Sequence, residues 1–275
     1  YDMIEKHGYE KVMHELLTSL HADVIQDFIS RADLDEGKSP QKKGTEKYKK
    51  HMAEKRTILI GVDEAGRGPL FGPVYTGAVV LPENDELFDK SILKDSKKFS
   101  SEKKINEVSE YIIKNCDYHS IDSCDHMEID KYNILQATQR SMHNSVRNVI
   151  EQIISHPQNI ERGVDNHSLL RSIVILVDGN YFKPFTYLYK DNLYPIQYKC
   201  VIKGDSLHKE ISAASILAKV SRDKYIKDFV QEHPEYQEKY HLLSNKGYGT
   251  QRHIEGIKLH GYSQFHRKTF KLKNV

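Results

Sequence analysis

A short hydrophobic run that ends in two adjacent acids constrains this chain more than any other feature. The run Ile58–Val62 reads as a buried β-strand, and Asp63 and Glu64 follow it directly. Carboxylate oxygens are the ligands that Mg²⁺ and Mn²⁺ prefer. The next residues, Gly66-Arg67-Gly68-Pro69, place an arginine between two residues without side chains, so a phosphate can approach the backbone closely. The segment predicts metal-assisted phosphoryl chemistry on a polyanion.

Two more acids follow other apolar runs. Asp178 comes directly after the run 172–177, and Asp205 comes shortly after the run 197–202. Ligand sites of α/β sheets lie beyond the strand ends, so acids there can converge across neighbouring strands. A single aspartate at such a place is also a common turn former or helix cap, and Asp205-Ser206 can be an N-cap for the helix that follows. Four carboxylates without His or Cys partners favour Mg²⁺ or Mn²⁺ over zinc.

The two adjacent acids pose a geometric question. Consecutive residues of a regular strand face opposite ways. Asp63 and Glu64 can therefore share a metal cluster only if the chain bends there, and Gly61 and Ala65-Gly66 favour such a bend.

The order of predicted elements indicates an α/β fold. Strands are predicted at 57–62, 74–81, 118–121, 172–177 and 197–202, and helices at 101–114, 134–154 and 209–229. The polar segment 156–170 is predicted to be a loop insertion. Residues 57–232 form the predicted main domain, and 233–275 form a small C-terminal helical region.

Residues 1–56 differ from the rest of the chain in their pattern of apolar and charged residues. Apolar residues at helical spacing over 3–29 are followed by Gly37, Ser39 and Pro40 and then by a lysine-rich stretch. We expect an N-terminal helical appendage and linker, which either packs on the main domain or acts as an extra nucleic-acid clamp.

Bulk composition excludes little. The net charge of +2 does not by itself argue for nucleic acid, although Lys/Arg clusters recur at 42–55, 94–104 and 266–273. The three cysteines lack metal-site spacing, and no apolar run approaches the ~20 residues of a membrane span. We expect a cytoplasmic protein with reduced thiols. His266-Arg267-Lys268 reads as a basic surface patch.

The ordered motifs resemble the ribonuclease HII family, the type 2 ribonucleases H, in its single-chain bacterial form. The resemblance covers about residues 58 to 271. Its motifs are Asp63-Glu64-Ala65-Gly66-Arg67-Gly68-Pro69 with Phe71-Gly72-Pro73, Leu93-Lys94-Asp95-Ser96-Lys97-Lys98, Val177-Asp178-Gly179-Asn180, Lys203-Gly204-Asp205-Ser206, the helix segment 211–223, Gly247-Tyr248-Gly249-Thr250 and His266-Arg267-Lys268-Thr269-Phe270.

The resemblance implies a ribonuclease H-like three-layer fold with a mixed central sheet flanked by helices. It implies an endonuclease that cleaves the RNA strand of RNA–DNA hybrids and incises 5′ of single ribonucleotides in duplex DNA, leaving 3′-hydroxyl and 5′-phosphate ends by two-metal catalysis with Mn²⁺ or Mg²⁺. It also implies a monomer without an obligatory protein partner or a membrane. The C-terminal region would bind substrate.

Residue roles carry over from the same motifs. The resemblance implies that Asp63, Glu64, Asp178 and Asp205 bind the catalytic metals. The segment Gly66-Arg67-Gly68 and Tyr248 would recognise the junction between a ribonucleotide and the following deoxynucleotide, although Tyr248 alone also reads as a turn tyrosine. Asp223, a further acid in the segment 211–223, reads as structural. Lys97, Lys98 and Lys203 are expected to contact phosphates.

Two related families and one alternative function have to be distinguished from this assignment. Ribonuclease HIII lacks the Gly-Arg-Gly-Pro form of the signature, and the eukaryotic catalytic subunit usually departs from Lys-Gly-Asp at the third acid. A nucleic-acid-binding protein of the same fold without catalysis is the alternative function, and the presence of all the acids gives it no support.

Overall fold

The computed structural model describes residues 57–270 and 272, apart from residues 85, 162 and 163. The predicted N-terminal appendage, residues 1–56, lies outside the described residues. Among the helices described, none combines the length and the apolar character that crossing a membrane requires.

A six-stranded mixed sheet forms the centre of the described part. Its strands, in chain order, are β1 (Ile58–Ala65), β2 (Val74–Val80), β3 (Tyr118–Cys124), β4 (Ile173–Asp178), β5 (Phe185–Tyr189) and β6 (Asn192–Val201). They lie in the order β3-β2-β1-β4-β6-β5. The pairs β1–β4 and β4–β6 are parallel, and the other pairs are antiparallel. The predicted strands correspond to β1, β2, β3, β4 and β6, whereas β5 was not expected.

Helices connect and cover the strands. They are α1 (Glu102–Asn115), α2 (His126–Tyr132), α3 (Ile134–Ser155), α4 (Pro157–Glu161), α5 (Asn166–Ser172), α6 (Gly204–Leu207), α7 (Lys209–Glu232), α8 (Glu235–Tyr240), α9 (Leu242–Asn245) and α10 (Gln251–His260). Short 3₁₀ turns lie at Lys90–Ile92 and Ser96–Lys98. The helices predicted at 101–114, 134–154 and 209–229 are confirmed as α1, α3 and α7.

The prediction of a loop at 156–170 is wrong, because α4 lies in this segment and α5 begins in it. The Asp165 carboxylate caps α5 by accepting hydrogen bonds from the main-chain N–H groups of His167 and Ser168, at 3.2 and 3.1 Å. Leu170 is buried in the core beneath the sheet. The capping aspartate and the buried leucine stabilise α5 within a polar sequence.

The sheet lies between two helical layers. Helix α3 packs on one face, where Val62, Val146 and Val177 belong to one buried cluster. Helices α1 and α7 cover the other face, with Ile112 and Leu217 in a second cluster and Leu176 and Ile211 in a third. The predicted α/β fold with a mixed central sheet flanked by helices is confirmed.

Glycines let α7 lie very close to the sheet. A Cβ atom on Gly61 of β1 would lie 2.1 Å from the main-chain carbon of Glu210, and one on Gly77 of β2 would lie 2.5 Å from the main-chain oxygen of Ala214. Residues 210 and 214 are one turn apart, so both contacts fall on the same stripe of the helix. This close approach brings α7 against the strand that carries the paired acids.

Candidate active site

Asp63 and Asp178 lie beside each other where the parallel pairing of β1 with β4 ends. Val62 of β1 pairs with Val177 of β4, and each is followed directly by its acid. Both valines belong to the core cluster on the α3 side. Because side chains alternate along a strand, Asp63 and Asp178 face the opposite side, where α7 lies. The register therefore brings the first and third predicted acids together.

Asp205 reaches the same place from a short helix. Strand β6 ends at Val201, and Asp205 lies in the first turn of α6. The Gly204 N–H donates a 2.7 Å hydrogen bond to Asp178 Oδ1, which ties α6 to the end of β4. The N-cap alternative for Asp205 is wrong, because Lys203 and His208 occupy the N-cap positions of α6 and α7.

Glu64 belongs to an unbroken strand. Strand β1 stays paired with β2 through Glu64, which lies opposite Thr76, as far as Ala65. The bend expected at Asp63 and Glu64 is absent, and Gly61 instead makes room for α7. The two carboxylates are nevertheless close enough to repel each other. Glu64 Oε1 accepts a 3.2 Å hydrogen bond from Arg67 Nη1.

Burial and mutual repulsion raise the pKa values of these acids. Burial is the main reason that the pKa of Asp63 lies well above its usual value, and repulsion from Glu64 and Asp178 raises it further. Hydrogen bonds from the Ser215 hydroxyl and the Glu64 N–H oppose this shift. Burial also raises the pKa of Glu64, against the opposing charge of Arg67. The negative charges therefore act on one another through a poorly solvated region.

The pKa of Asp178 follows the same pattern. Burial raises it, and repulsion from Asp205 adds to the rise, whereas main-chain N–H donors, Gly204 foremost, lower it. Charge repulsion thus links Asp178 to each of the other predicted acids.

This donor set fits a divalent cation chemically. The pKa values of these carboxylates stay raised even though Arg67 pairs with Glu64, and an oxygen-preferring dication would supply the further positive charge that they need. Among the described residues, however, no three His, Cys, Asp or Glu side chains stand close enough to form a ready-made metal cage. The acids would have to close around an ion when it binds.

The segment after β1 is held by two buried arginines. Gly66 has a φ of +92°, and a Cβ atom there would lie 2.1 Å from Arg222 Nε. Arg267 donates hydrogen bonds to the main-chain oxygens of Gly66, Arg67 and Gly72, at 2.7, 2.9 and 2.8 Å. Each of these contacts fixes a carbonyl, so the path of the Gly66–Gly72 backbone is set before any ligand binds.

Tyr248 lies over this segment. Its ring would be 3.4 Å from a Cβ atom on Gly68, and the Arg222 guanidinium carbon lies 5.7 Å from the ring centroid. The tyrosine is 47% exposed, whereas its main chain is fixed by a 2.9 Å hydrogen bond from its N–H to the Asn245 oxygen. The structure therefore brings the two predicted recognition elements into contact.

The lysine-containing turn is connected to the acids. Lys97 and Lys98 are exposed on the 3₁₀ turn, and Ser96 Oγ lies 3.1 Å from Ser215 Oγ, whose hydroxyl also bonds Asp63. Lys203 is exposed in a left-handed conformation just before Gly204. A cavity of about 210 Å³ lies between these segments; its lining includes Lys94, Lys98, Asp205, His208 and Lys209.

Comparison with known proteins decides the family. A family model described as ribonuclease HII matches residues 60–273. The chain belongs to the ribonuclease HII family. It is 39% identical to the ribonuclease HII of Parabacteroides distasonis over 215 residues, which cover 78% of this chain and 90% of that protein. It is 38% identical to that of Francisella tularensis subsp. novicida over 214 residues, covering 78% and 96%.

Solved structures show the same fold. The ribonuclease H2 from Pyrococcus horikoshii OT3 superposes with a TM-score of 0.55 at 24% identity, covering 78% of this chain and 94% of that chain. The ribonuclease HII in a complex with PCNA from Archaeoglobus fulgidus gives 0.55 at 20% identity, covering 79% and 97%. The chain is thus a ribonuclease H-like, metal-dependent endonuclease that cleaves the RNA of RNA–DNA hybrids.

Within this ribonuclease HII fold, three residues were misread or missed from the sequence. His266 and Arg267 are fully buried, so the basic-patch prediction is wrong for all of that segment but Lys268. Arg222 was not singled out, although it is 2% exposed and donates to the main-chain oxygens of Phe71 and Pro73, at 3.3 Å each. The signal was the cluster of glycines and prolines at 66–73, whose carbonyls need donors from elsewhere.

Asp223 is a further acid, on α7, that does not belong to the four predicted metal ligands. Its carboxylate forms an ion pair with Lys219, one turn earlier on α7. No described partner bonds its Oδ1 atom, which is buried. This arrangement agrees with the structural reading of Asp223.

Proposed function

We propose that this ribonuclease HII also incises duplex DNA 5′ of single embedded ribonucleotides, leaving 3′-hydroxyl and 5′-phosphate ends. The observation that carries the proposal is the contact between Tyr248 and Gly68, one short segment away from Asp63 and Glu64. Only the 2′-hydroxyl distinguishes a ribonucleotide locally, and a backbone without side chains can approach and hydrogen-bond it. The exposed tyrosine ring supplies a flat surface on which the next deoxyribose can stack, and a second 2′-hydroxyl would clash there.

The proposed metal ligands are Asp63, Glu64, Asp178 and Asp205. Two Mg²⁺ or Mn²⁺ ions bound there would supply an activated water and a stabilised leaving oxygen. The protein's own groups orient the carboxylates: the Gly204 N–H holds one Asp178 oxygen, and the Ser215 hydroxyl bonds Asp63. Because these donors are fixed by α6 and α7, the remaining carboxylate oxygens stay available for the ions.

The basic side chains would position the nucleic acid. Lys97, Lys98 and Lys203 are exposed next to the acids, where they can contact phosphates of the duplex without reading its sequence. We assign catalysis to residues 57–232 and a substrate-binding role to 233–275, which contains Tyr248. We further propose a cytoplasmic monomer that needs no protein partner for cleavage.

Cleavage of two matched duplexes tests the proposal. One contains a single ribonucleotide and the other an all-RNA strand paired with DNA, each assayed with Mn²⁺ and with Mg²⁺. We expect nicking 5′ of the single ribonucleotide. Asp178→Asn should lower cleavage of both duplexes by roughly 10²-fold or more, because metal binding contributes several kcal/mol to transition-state stabilisation. Duplex affinity should persist, since phosphate contacts supply most of it.

Asp228→Asn is the matched control. This exposed acid of α7 pairs with Lys224, and its substitution should leave both rates unchanged. Absence of nicking at the single ribonucleotide, together with cleavage of the all-RNA strand, would refute the proposed specificity. Full activity of Asp178→Asn would refute the ligand assignment.

A further inference from the structure

Two fully buried histidines lie directly behind Tyr248. His253 belongs to α10, and His266 lies in the segment that follows this helix. Their Nε2 atoms are 3.0 Å apart. His253 Nδ1 also lies 2.9 Å from the main-chain oxygen of Tyr248. The pair therefore connects the C-terminal segment to the residue proposed to stack on the substrate.

Main-chain groups fix the tautomer of each ring. The Ser263 N–H donates a 3.0 Å hydrogen bond to His266 Nδ1, so this nitrogen is an acceptor and the proton of the neutral ring lies on Nε2. His266 Nε2–H then donates to His253 Nε2, which leaves the His253 proton on Nδ1. His253 Nδ1–H donates in turn to the carbonyl of Tyr248. One directional chain runs from Ser263 to Tyr248.

Both rings stay neutral in this environment. Burial lowers the pKa of His266 to about 3, and repulsion from His253 and His126 contributes. Burial also lowers the pKa of His253, partly opposed by its bonds to Tyr248 and Gly247. Protonation of His253 would place two N–H groups face to face between the Nε2 atoms, and protonation of His266 would place one against the Ser263 N–H, so the chain depends on neutral rings.

The neighbour of His266 anchors the other half of the recognition site. Arg267 holds the main-chain oxygens of Gly66 and Arg67, while His266 acts through His253 on Tyr248. Two consecutive residues thus hold the two surfaces that face each other across the Gly68–Tyr248 contact. Any shift of one relative to the other changes the gap into which the ribose must fit.

We propose that His253, held in its tautomer by His266, is a positioning residue that sets the distance of Tyr248 from the Gly66–Gly68 backbone and thereby the selectivity for a single ribonucleotide. The inference rests on the proposed function of Tyr248 and deepens it. Neither histidine touches the reacting atoms, and their effect passes through the Tyr248 carbonyl. The alternative is that the pair only fills the core, in which case any loss would follow stability and affect both substrates equally.

Two conservative substitutions separate these readings. The amide nitrogen of His253→Asn takes the place of Nδ1 and keeps the donor to Tyr248, but it cannot reach His266. The amide of His253→Gln takes the place of Nε2 and keeps the contact with His266, but it loses the donor to Tyr248. The readout is kcat/KM on the single-ribonucleotide duplex divided by kcat/KM on the all-RNA hybrid, measured well below the unfolding midpoint of each variant.

We expect His253→Gln to lower this ratio by about tenfold, the effect of one lost buried hydrogen bond on the placement of Tyr248. His253→Asn should keep the ratio within about twofold, because the donor to the carbonyl is retained. His260→Gln, at an exposed histidine of the same helix, is the matched control and should change neither rate.

Tyr248→Ala is the reference that keeps the two proposals apart. If Tyr248→Ala leaves the ratio unchanged, the proposed role of Tyr248 is wrong, and the inference is overturned with it. If Tyr248→Ala lowers the ratio but His253→Gln does not, the inference alone is overturned. An equal loss in the Asn and Gln variants, proportional to their loss of stability, would also overturn it.

Discussion

Asp63 is a buried acid whose charge opposes folding when no cation is bound. Its pKa is raised in the folded state, so the folded protein retains a proton over a pH range in which the unfolded chain has lost it. The contribution of Asp63 to the stability of the metal-free protein is therefore greatest below the unfolded pKa and is lost as the pH rises through the folded value. Asp63→Asn removes the group whose ionisation is opposed by burial. We expect the midpoint of its thermal unfolding, measured with a chelator that removes metal ions, to rise by roughly 2–4 °C. This is the shift that about 1 kcal/mol produces in a domain of this size.

The control for this prediction is the cation itself. Saturating Mn²⁺ or Mg²⁺ should raise the midpoint of thermal unfolding of the unmodified protein more than that of Asp63→Asn, because the variant lacks a proposed ligand. The stabilising effect of the substitution should also shrink as the pH falls and Asp63 becomes protonated. If the variant is no more stable than the unmodified protein at neutral pH in chelator, burial of the Asp63 charge does not oppose folding.

Single residues differed in how well the sequence predicted them. Asp63 and Asp178 were predictable because each directly follows an apolar run, and parallel pairing brings strand ends to one edge. The role of Arg267 was not predictable, because its guanidinium bonds the carbonyl of Gly66, which lies 201 residues earlier in the chain. A local His-Arg-Lys sequence is typical of a surface. Only the fold shows that main-chain carbonyls in this region need the guanidinium as a hydrogen-bond donor.

Helix α7 is the element whose position the site depends on most directly. It carries Ser215, which bonds Asp63, and it lies against β1 at Gly61. A methyl group at Gly61 would meet main-chain atoms of Glu210 and Ile211 at 2.1–2.4 Å, and the main chain of a packed helix cannot move aside as a side chain can. We expect Gly61→Ala to lower the free energy of unfolding by roughly 1–3 kcal/mol or more. Chemical denaturation measures this change.

Gly249→Ala is the matched control for the same substitution. Its Cβ atom would meet only the side chain of Leu70, at 3.1 and 3.6 Å, which can rotate away. We expect a cost below about 1 kcal/mol. If Gly61→Ala and Gly249→Ala lower the free energy of unfolding by the same amount, the close approach of α7 does not constrain the position of the helix.

At the scale of elements, length and turn chemistry decided what could be predicted. The helices α1, α3 and α7 have apolar residues at helical spacing over several turns, and the sequence therefore predicted them correctly. Strand β5 was missed because its hairpin turns at Lys190 and Asp191, both with positive φ, instead of the Asn-Gly or Asp-Gly pair typical of such turns. A tight turn without glycine gives little local signal.

On the scale of the whole molecule, segments near the beginning and the end of the described chain meet at the proposed recognition site. The Leu70 N–H bonds the Gly247 oxygen at 2.8 Å, the Gly72 N–H bonds that of Phe265 at 3.1 Å, and the Arg267 N–H bonds that of Leu70 at 2.8 Å. The isolated bridge between Phe71 and His266 belongs to the same contact. The C-terminal segment is thus part of the site's framework, although it carries none of the proposed metal ligands.

Arg267→Lys tests this long-range connection. A lysine cannot reproduce the planar fork that bonds three separate carbonyls, so buried acceptors would lose their donors. We expect the free energy of unfolding to fall by roughly 2–4 kcal/mol. Amide hydrogen exchange at Gly66–Gly72 should accelerate more than exchange in β4. Lys268→Gln, at the exposed neighbouring residue, should change neither quantity.

The hydrogen-exchange pattern distinguishes a local from a global effect of Arg267. If the arginine only contributes to overall stability, exchange should accelerate equally in β4 and in Gly66–Gly72, since both would open through global unfolding. If it sets the path of the loop, the loop amides should exchange faster even under conditions in which β4 remains protected. Single-ribonucleotide incision should then fall further than hybrid cleavage, because the Gly66–Gly68 backbone is proposed to act on the 2′-hydroxyl. Uniform acceleration with an unchanged ratio of the two activities would show that the loop holds its path without the C-terminal segment.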